Sequence, residues 1–443
     1  MIQTIRNAWK VQELRNKLLF TVFALLIFRV GSAIPVPFID TQTLSNYMDT
    51  QSTSIFSLLN VMSGDAFAQA TIFALSIQPY INSSIIVQLL TIAIPALEAL
   101  QRDGGEEGKK KLAAITRYVT VAFALIQAFG YYTFINYQGF VTEGVWPAIV
   151  IIVAFTAGSA FVMWLGEQIT EFGVGNGISI ILFGGIIARG PSIVTSMVTG
   201  VRNWLNGISS DSAMTLHPVF VPLILIGMLL LVVLVVFITN AERRVPVQYA
   251  KRMVGRKMYG GQSSHIPIKV NMSGVMPIIF AQAIASLPAT IGMFVPSAHT
   301  EGSAWNTFLK IFDSNGVFYC IVYFLLIVLF SYFYNSIQFN TVEVANNLKK
   351  NGGFIPGFRP GRPTADFLQK VVGRLTLFGA LYLAVVALLP AITGNIMLLF
   401  GSSAGRYLAI GGTSIIIVVG VALETVKTLE AQLMMRHYKG FLE

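Results

Sequence analysis

Charge is what this sequence lacks most. Asp, Glu, Lys and Arg make up 11% of its 443 residues, against roughly 25% in an ordinary soluble domain. With 54% hydrophobic residues and a mean hydropathy of +0.69, a water-soluble fold of this length has no core large enough to hide the apolar surface. Cysteine is down to one, Cys320, so an intramolecular disulfide is excluded. The four histidines, His217, His265, His299 and His437, stand at no metal-ligand spacing. GGEEGKKK at 104–111 has Asp103 where a phosphate loop needs its first glycine, and Lys110 where it needs Ser or Thr. GVGNG at 173–177 follows an apolar run rather than a strand, and reads as a tight turn. No cofactor and no enzymatic chemistry are expected.

What is present is apolar and arranged in runs. Ten segments approach the ~20 residues that cross ~30 Å of hydrocarbon as a helix. They lie near 18–34, 71–94, 116–136, 145–165, 178–198, 219–239, 274–296, 317–337, 375–393 and 408–426. The expectation is an all-α polytopic membrane protein with ten transmembrane helices. Residues 1–17 are polar and basic, and the first run is followed by Pro35 and Pro37 rather than a small-residue cleavage site, so it reads as a retained span. Ten spans leave both termini on one side. Of the 30 Lys and Arg, 25 fall in the segments on that side. Excess Lys and Arg in short loops marks the cytoplasm, so both ends, including the tail 431–443, are expected there.

Ten spans divide into five and five, and an odd number per half inverts the second half. That is the layout of an inverted repeat, with halves at 18–200 and 201–430. Span two, IFALSIQPYINSSIIVQLL, and span seven, NMSGVMPIIFAQAIASLP, each hold a proline, Pro79 and Pro277. Amide and hydroxyl side chains follow: Asn82, Ser83 and Ser84 in one, Gln282 and Ser286 in the other. Matching interruptions in two halves point to a working site; proline and small residues are also common in membrane helices generally.

Ion-coupled transporters rely on intramembrane carboxylates or histidines, and these spans hold almost none. Arg29, in the outer half of span one, is within reach of the surface by snorkelling, and Glu424 lies near the inner end of span ten. Aliphatic interiors with scattered hydroxyls and amides suit a passive conduit, whose hydrophobic constriction resists ions by dewetting. A small-solute secondary transporter with inverted repeats is the alternative, and a non-transporting docking scaffold a third. Two loops, 240–270 and 338–374, are too long for connectors, and the first interleaves aromatics with cations in YAKRMVGRKMY. They either enforce topology and touch anionic lipid, or project to dock a large anionic partner such as ribosomal RNA. Residues 55–68, IFSLLNVMSGDAFA, are too short to span, and Gly64 and Asp65 read as a helix stop. The segment is either an interfacial helix or folds back into the mouth of a conduit.

LGEQITEFGVGNGISI at 165–180 resembles the joint between spans four and five of the SecY family, the protein-conducting channels of bacterial general secretion. FRVGSAIPVP, the span-two string, HIPIKVNMSGVMP, NNLKKNGGFIPGFRPG, GRLTLFGALYL and GGTSIIIVV resemble SecY segments in the same order, from about residue 14 to the last span. The resemblance implies two pseudo-symmetric halves around an hourglass central pore in the bacterial cytoplasmic membrane. It also implies passage of unfolded polypeptide and lateral release of hydrophobic segments. The implied partners are SecE, SecG, the motor ATPase SecA, the ribosome and YidC, besides secretory and membrane-protein substrates and lipid.

Motif by motif, the resemblance implies a pore ring at Ile77, Ile81, Ile178, Leu182, Ile279 and Ile417, with Leu182 standing where isoleucine is expected. It implies a lateral gate at Pro79, Asn82, Ser83, Ser84, Pro277, Gln282 and Ser286. A plug at 55–68 takes in Ile55, Phe56, Leu58, Leu59, Met62 and Phe67. Docking of SecA or the ribosome falls to Arg243, Arg244, Lys251, Arg252, Arg256, Lys257 and Arg359.

Overall fold

A computed structural model describes residues 2–50, 60, 63–102, 104–206, 217–249, 252–254, 257–259, 263–295, 303–312, 316–399 and 412–439. Its helices follow the apolar runs. The first half holds α1 (Ile2–Lys10), α2 (Gln12–Gly31), α3 (Thr41–Thr50), α4 (Gln78–Ala93), α5 (Pro95–Arg102), α6 (Gly105–Tyr137), α7 (Val145–Phe172), α8 (Gly177–Ala188) and α9 (Gly190–Leu205). The second holds α10 (Phe220–Asn240), α11 (Met276–Ala285), α12 (Leu287–Gly292), α13 (Ala304–Ile311), α14 (Val317–Gln338), α15 (Thr341–Lys350), α16 (Arg362–Leu399) and α17 (Gly412–Lys439). Among the described residues six helices are long and apolar enough to cross a bilayer, or seven if α4 and α5 form one span bent by 106°.

The departures from the expected ten have local causes. Helix α2 carries Arg15, Lys17 and Arg29 within its length. Span two was expected from residue 71 but is helical only from Gln78. The preceding residues run as turns, with the Ile72 N–H donating to the Ile34 carbonyl and the Val36 N–H to that of Ala70. At the far end Ile94 adopts extended geometry before Pro95, since proline disfavours the helical region in its predecessor. Span seven is broken at Ser286 into α11 and α12. Pro79 and Pro277 both sit in the first turn of their helices, where a missing N–H costs nothing. They start α4 and α11 rather than interrupt running helices, and they do so alike in both halves. Helix α17 runs on through 431–439, expected as a tail.

Helices α7 and α8 meet at a joint built on glycine. A Cβ on Gly177 would sit 2.0 Å from the Gly166 carbonyl oxygen, and Gly175 has φ +74. Asn176 caps α8, its Oδ1 accepting from the Ile178 and Ser179 N–H groups at 3.1 and 3.4 Å. Near the chain ends, Thr4 donates to Glu430 at 3.0 Å, and Ala8, Leu14, Val174 and Leu429 bury together. The first and last helices therefore lie side by side.

The basic loops are not irregular. Strand β1 (Glu242–Tyr249) pairs antiparallel with β4 (Ser263–Lys269) on one side and with β5 (Gly353–Phe354) on the other; β2 (Arg252–Val254) and β3 (Lys257–Tyr259) form a second ribbon. Alternation in β1 turns Val245 and Val247 inward onto Ile268, Leu348, Ile355, Leu368 and Val372. Pro246 is tolerated in this central strand because β5 pairs only with Gln248 and Tyr249. The all-α expectation thus gives way outside the spans, where the two long loops share one sheet and one core.

Gly158 in α7 tests this packing. A Cβ there would lie 2.0 Å from the Ile72 backbone oxygen, whereas one on Gly227 meets nothing within 4 Å. Gly158→Ala is expected to cost about 1–3 kcal/mol and lower the melting temperature in detergent; Gly227→Ala is expected to leave it unchanged or raise it.

Candidate functional site

Residues 77–182 and 275–421 contribute to one apolar cluster at the centre of the structure. Ile77, Ile81, Leu182, Ile279 and Ile417 are buried in it, all at 5% exposure or less, and half-buried Ile178 packs against it. They come from α4 and its leading turn, from α8, from α11 and from α17. Gly166 marks how closely they approach, since a Cβ there would lie 3.3–3.6 Å from the side-chain ends of Ile181, Ile178 and Ile77.

Two cavities flank this cluster. The smaller, about 30 Å³, is lined by Ile77 and Leu182 with Phe67, Ser76, Gln78, Asn82 and Gln127. The larger, about 340 Å³, is lined by Ile81, Ile178, Leu182 and Ile279 and leads toward Gln101, Leu112 and Thr116. Leu182 faces both. Aliphatic side chains between two cavities offer a crossing ion no ligand.

Helices α4 and α11 lie against each other beside the cluster. Pro79, Asn82, Ser83, Pro277, Gln282 and Ser286 are buried there, and Ser84 is half-buried and lines the larger cavity. Two of the serines bond locally. Ser83 donates to the Pro79 carbonyl at 2.8 Å and Ser286 to that of Ala283 at 2.9 Å, each within its own helix. The amides behave differently: Oε1 of Gln78 and Gln127, Oδ1 of Asn82 and Oγ of Ser76 are buried without a protein partner, and all four residues line the smaller cavity. Its volume accommodates about two waters at roughly 10–15 Å³ each. Sequence reading missed Ser76, Gln78 and Gln127; an amide midway along the apolar run of α6 was the available signal.

Of the 55–68 segment, Ile55, Phe56, Leu58, Leu59 and Met62 lie outside the described residues. Phe67 is buried, stacks on Tyr131 with ring centroids 4.4 Å apart, and its carbonyl accepts from the Tyr131 hydroxyl. Gly64 has φ +67, as a helix stop requires. Arg29 was expected to snorkel; it is exposed, but its guanidinium donates to the Gly64 carbonyl at 3.2 Å. Asp65, read from the sequence only as part of the helix stop, pairs with Arg189 at 2.9 Å.

Arg243 and Arg244 are exposed on β1, Arg244 pairing with Glu242 at 2.8 Å, and Arg359 is exposed on the connection after β5. Arg252 and Lys257 fall in the β2–β3 ribbon, and Lys251 and Arg256 lie outside the described residues.

The fold and the convergence of these residues define a class: a multi-span helical membrane channel. A model of the SecY family matches residues 71–426. The chain is 44% identical to the protein translocase subunit SecY of Streptomyces coelicolor and 42% identical to that of Corynebacterium glutamicum, over the whole length of all three chains. A solved structure of a protein-conducting channel superposes with a TM-score of 0.64 at 17% identity, covering 94% of this chain and 92% of that one. Sec61 from the canine ribosome–channel complex of the endoplasmic reticulum gives 0.59 at 16%, with the same coverage. The chain belongs to the SecY family, whose members are protein-conducting channels of the Sec translocon and not enzymes.

The unequal cavities set an expectation for labelling. With Cys320, the single native cysteine, replaced by serine, Gln88→Cys in the larger cavity should react readily with a polar maleimide. Leu75→Cys in the smaller one should stay protected until the channel is opened.

Proposed function

We propose that this chain conducts unfolded polypeptide outward across the bacterial cytoplasmic membrane and releases hydrophobic segments sideways into lipid. It does so through ten spans in two inverted halves, 18–200 and 201–430, with both termini cytoplasmic. One observation carries the reading: six aliphatic side chains from four helices belong to or pack against one apolar cluster, and five of them line one or both of two cavities beside it. An aliphatic ring closes around an extended chain without offering hydrogen bonds, so it does not select by sequence. The matched first-turn prolines of α4 and α11 support the repeat, and the side carrying 25 of the 30 Lys and Arg supports the orientation.

In this reading α4 and α11 form the lateral gate. Leu or Ile at a helix centre is worth about −0.3 to −0.6 kcal/mol in lipid and a charge costs about +2.5 to +3.5, so a segment's own composition decides its exit. Residues 55–68 act as the plug. The sheet formed by the two basic loops is the docking surface for SecA or the ribosome, and SecE, SecG and YidC are the membrane partners. The relative solved in a ribosome–channel complex supports the ribosomal part. Since no motif for ATP hydrolysis was found in the sequence, a partner supplies the energy.

Ile81→Asn or Ile417→Asn should wet the constriction, raising ion leak from proteoliposomes and improving export of proteins with weak signal sequences. Wild-type conductance and stringency in both would end the ring assignment. Asn82→Leu removes a buried polar atom that lacks a protein partner when the seam is shut. It is expected to favour closure, so a test segment must be more hydrophobic to insert. A threshold unmoved in a graded-hydrophobicity insertion assay would take α4 out of the gate. Arg359→Glu, at an exposed site, should leave expression equal while weakening SecA or ribosome binding in a pull-down.

A further inference from the structure

The turn at residues 63–65 is held from two directions. From α2, Arg29 donates Nη1–H to the Gly64 carbonyl at 3.2 Å. From the break between α8 and α9, Arg189 brings Nε to 2.9 Å from Asp65 Oδ1, with side chains 16% and 28% exposed. The same Oδ1 accepts from Asn60 Nδ2 at 3.0 Å, and Asn60 Oδ1 accepts from the Ala68 N–H at 2.9 Å. Asp65 follows Gly64 with a positive φ of +72, a conformation that costs a non-glycine residue energy and persists where the surroundings enforce it. The turn also abuts α8 directly, since a Cβ on Gly64 would lie 2.8 Å from the Gly185 carbonyl oxygen. Helix α8 is the one that carries Ile178 and Leu182. Nε and Nη1 of Arg189 are buried without an aligned hydrogen bond. The contact with Asp65 is thus electrostatic, and it compensates the charge of a mostly buried guanidinium.

We propose that Arg189, with Arg29, is a positioning residue for the closed channel: through Asp65 and the Gly64 carbonyl it holds the 63–65 turn against the end of α8, and so weights the equilibrium toward closure. The inference rests on the reading of this chain as a channel shut at the aliphatic cluster. The clasp ties the helix bearing two of those aliphatic residues to the segment that ends in Phe67. Separating α8 from the turn leaves two charges in a poorly solvated place, and removing either partner leaves the other uncompensated. Screening by salt is weak at this burial.

The test is efflux of an entrapped ion from proteoliposomes of the channel with its partner subunits, in the absence of a translocating chain. Ile81→Asn serves as the reference for an opened constriction. Arg189→Gln and the nearly isosteric Asp65→Asn should each raise the leak about tenfold, the ratio given by about 1.4 kcal/mol. Arg189→Lys, which keeps the charge, should stay near wild type. The double variant should leak no more than either single one, because one contact is lost once. Asp65→Asn should leak at temperatures well below its own melting temperature in detergent, separating closure from folding. Wild-type leak in both single variants beside a leaking Ile81→Asn overturns the clasp, as does additive leak in the double variant. If Ile81→Asn is also tight, the aliphatic closure itself fails and the clasp falls with it.

Discussion

A closure made only of carbon must be made by contact. Dispersion between aliphatic atoms falls away within an ångström of optimal spacing, so the proposed seal of Ile77, Ile81, Ile178, Leu182, Ile279 and Ile417 requires four helices to approach closely. Much of the surrounding structure follows from that demand. Gly166 and Gly177 let α7 and α8 touch. Gly420 does the same beside Val275, where a Cβ on α17 would come within 2.8 Å of Cγ1. The broken spans have the same logic. Helix α4 begins at Gln78 rather than at residue 71, and the turn before it carries Ile77 into the cluster.

Two hydroxyls in the same region are satisfied without crossing the seam. Ser83 and Ser286 satisfy their hydroxyls within their own helices, which leaves the α4–α11 contact dependent on packing and amides. Interhelical hydrogen bonds in membranes average about 0.6 kcal/mol. A seam held by bonds of that size separates for a modest cost, as the proposed sideways release requires. The carbon closure and the weakly bonded seam therefore share helices without sharing chemistry.

Much of this was legible in the sequence, and what was hidden has physical reasons. Hydropathy exposed the membrane class, because twenty-residue apolar runs have no other use. The paired prolines, the joint at 165–180 and the aliphatic cluster were all placed from strings. Hydropathy did not show that Pro79 starts a helix, because proline is equally compatible with a first turn and a kink. It treated 240–270 and 338–374 as separate loops, because the three-stranded sheet pairs Gln248 and Tyr249 with Phe354 and Gly353, about a hundred residues away. Arg29 looked like a cation snorkelling from span one, and nothing in the sequence singled out Arg189. Their partners, Gly64 and Asp65, are brought to them by tertiary structure alone.

The sheet has a mechanical side. Helix α10 ends at Asn240 and β1 begins at Glu242, with one residue between them. At about 3.4 Å per residue, the eight residues of β1 form an arm of roughly 27 Å, clamped by β4 and β5 and braced on the core beneath. The return strand ends at Lys269, six residues before α11. A load applied at the tip of this arm reaches α10 and α11 with little slack, and β5 carries it to the connection between α15 and α16. A bulky body seated on the arm would therefore act as a lever on one face of the seam, exerting torque on α11 from outside the membrane without entering it.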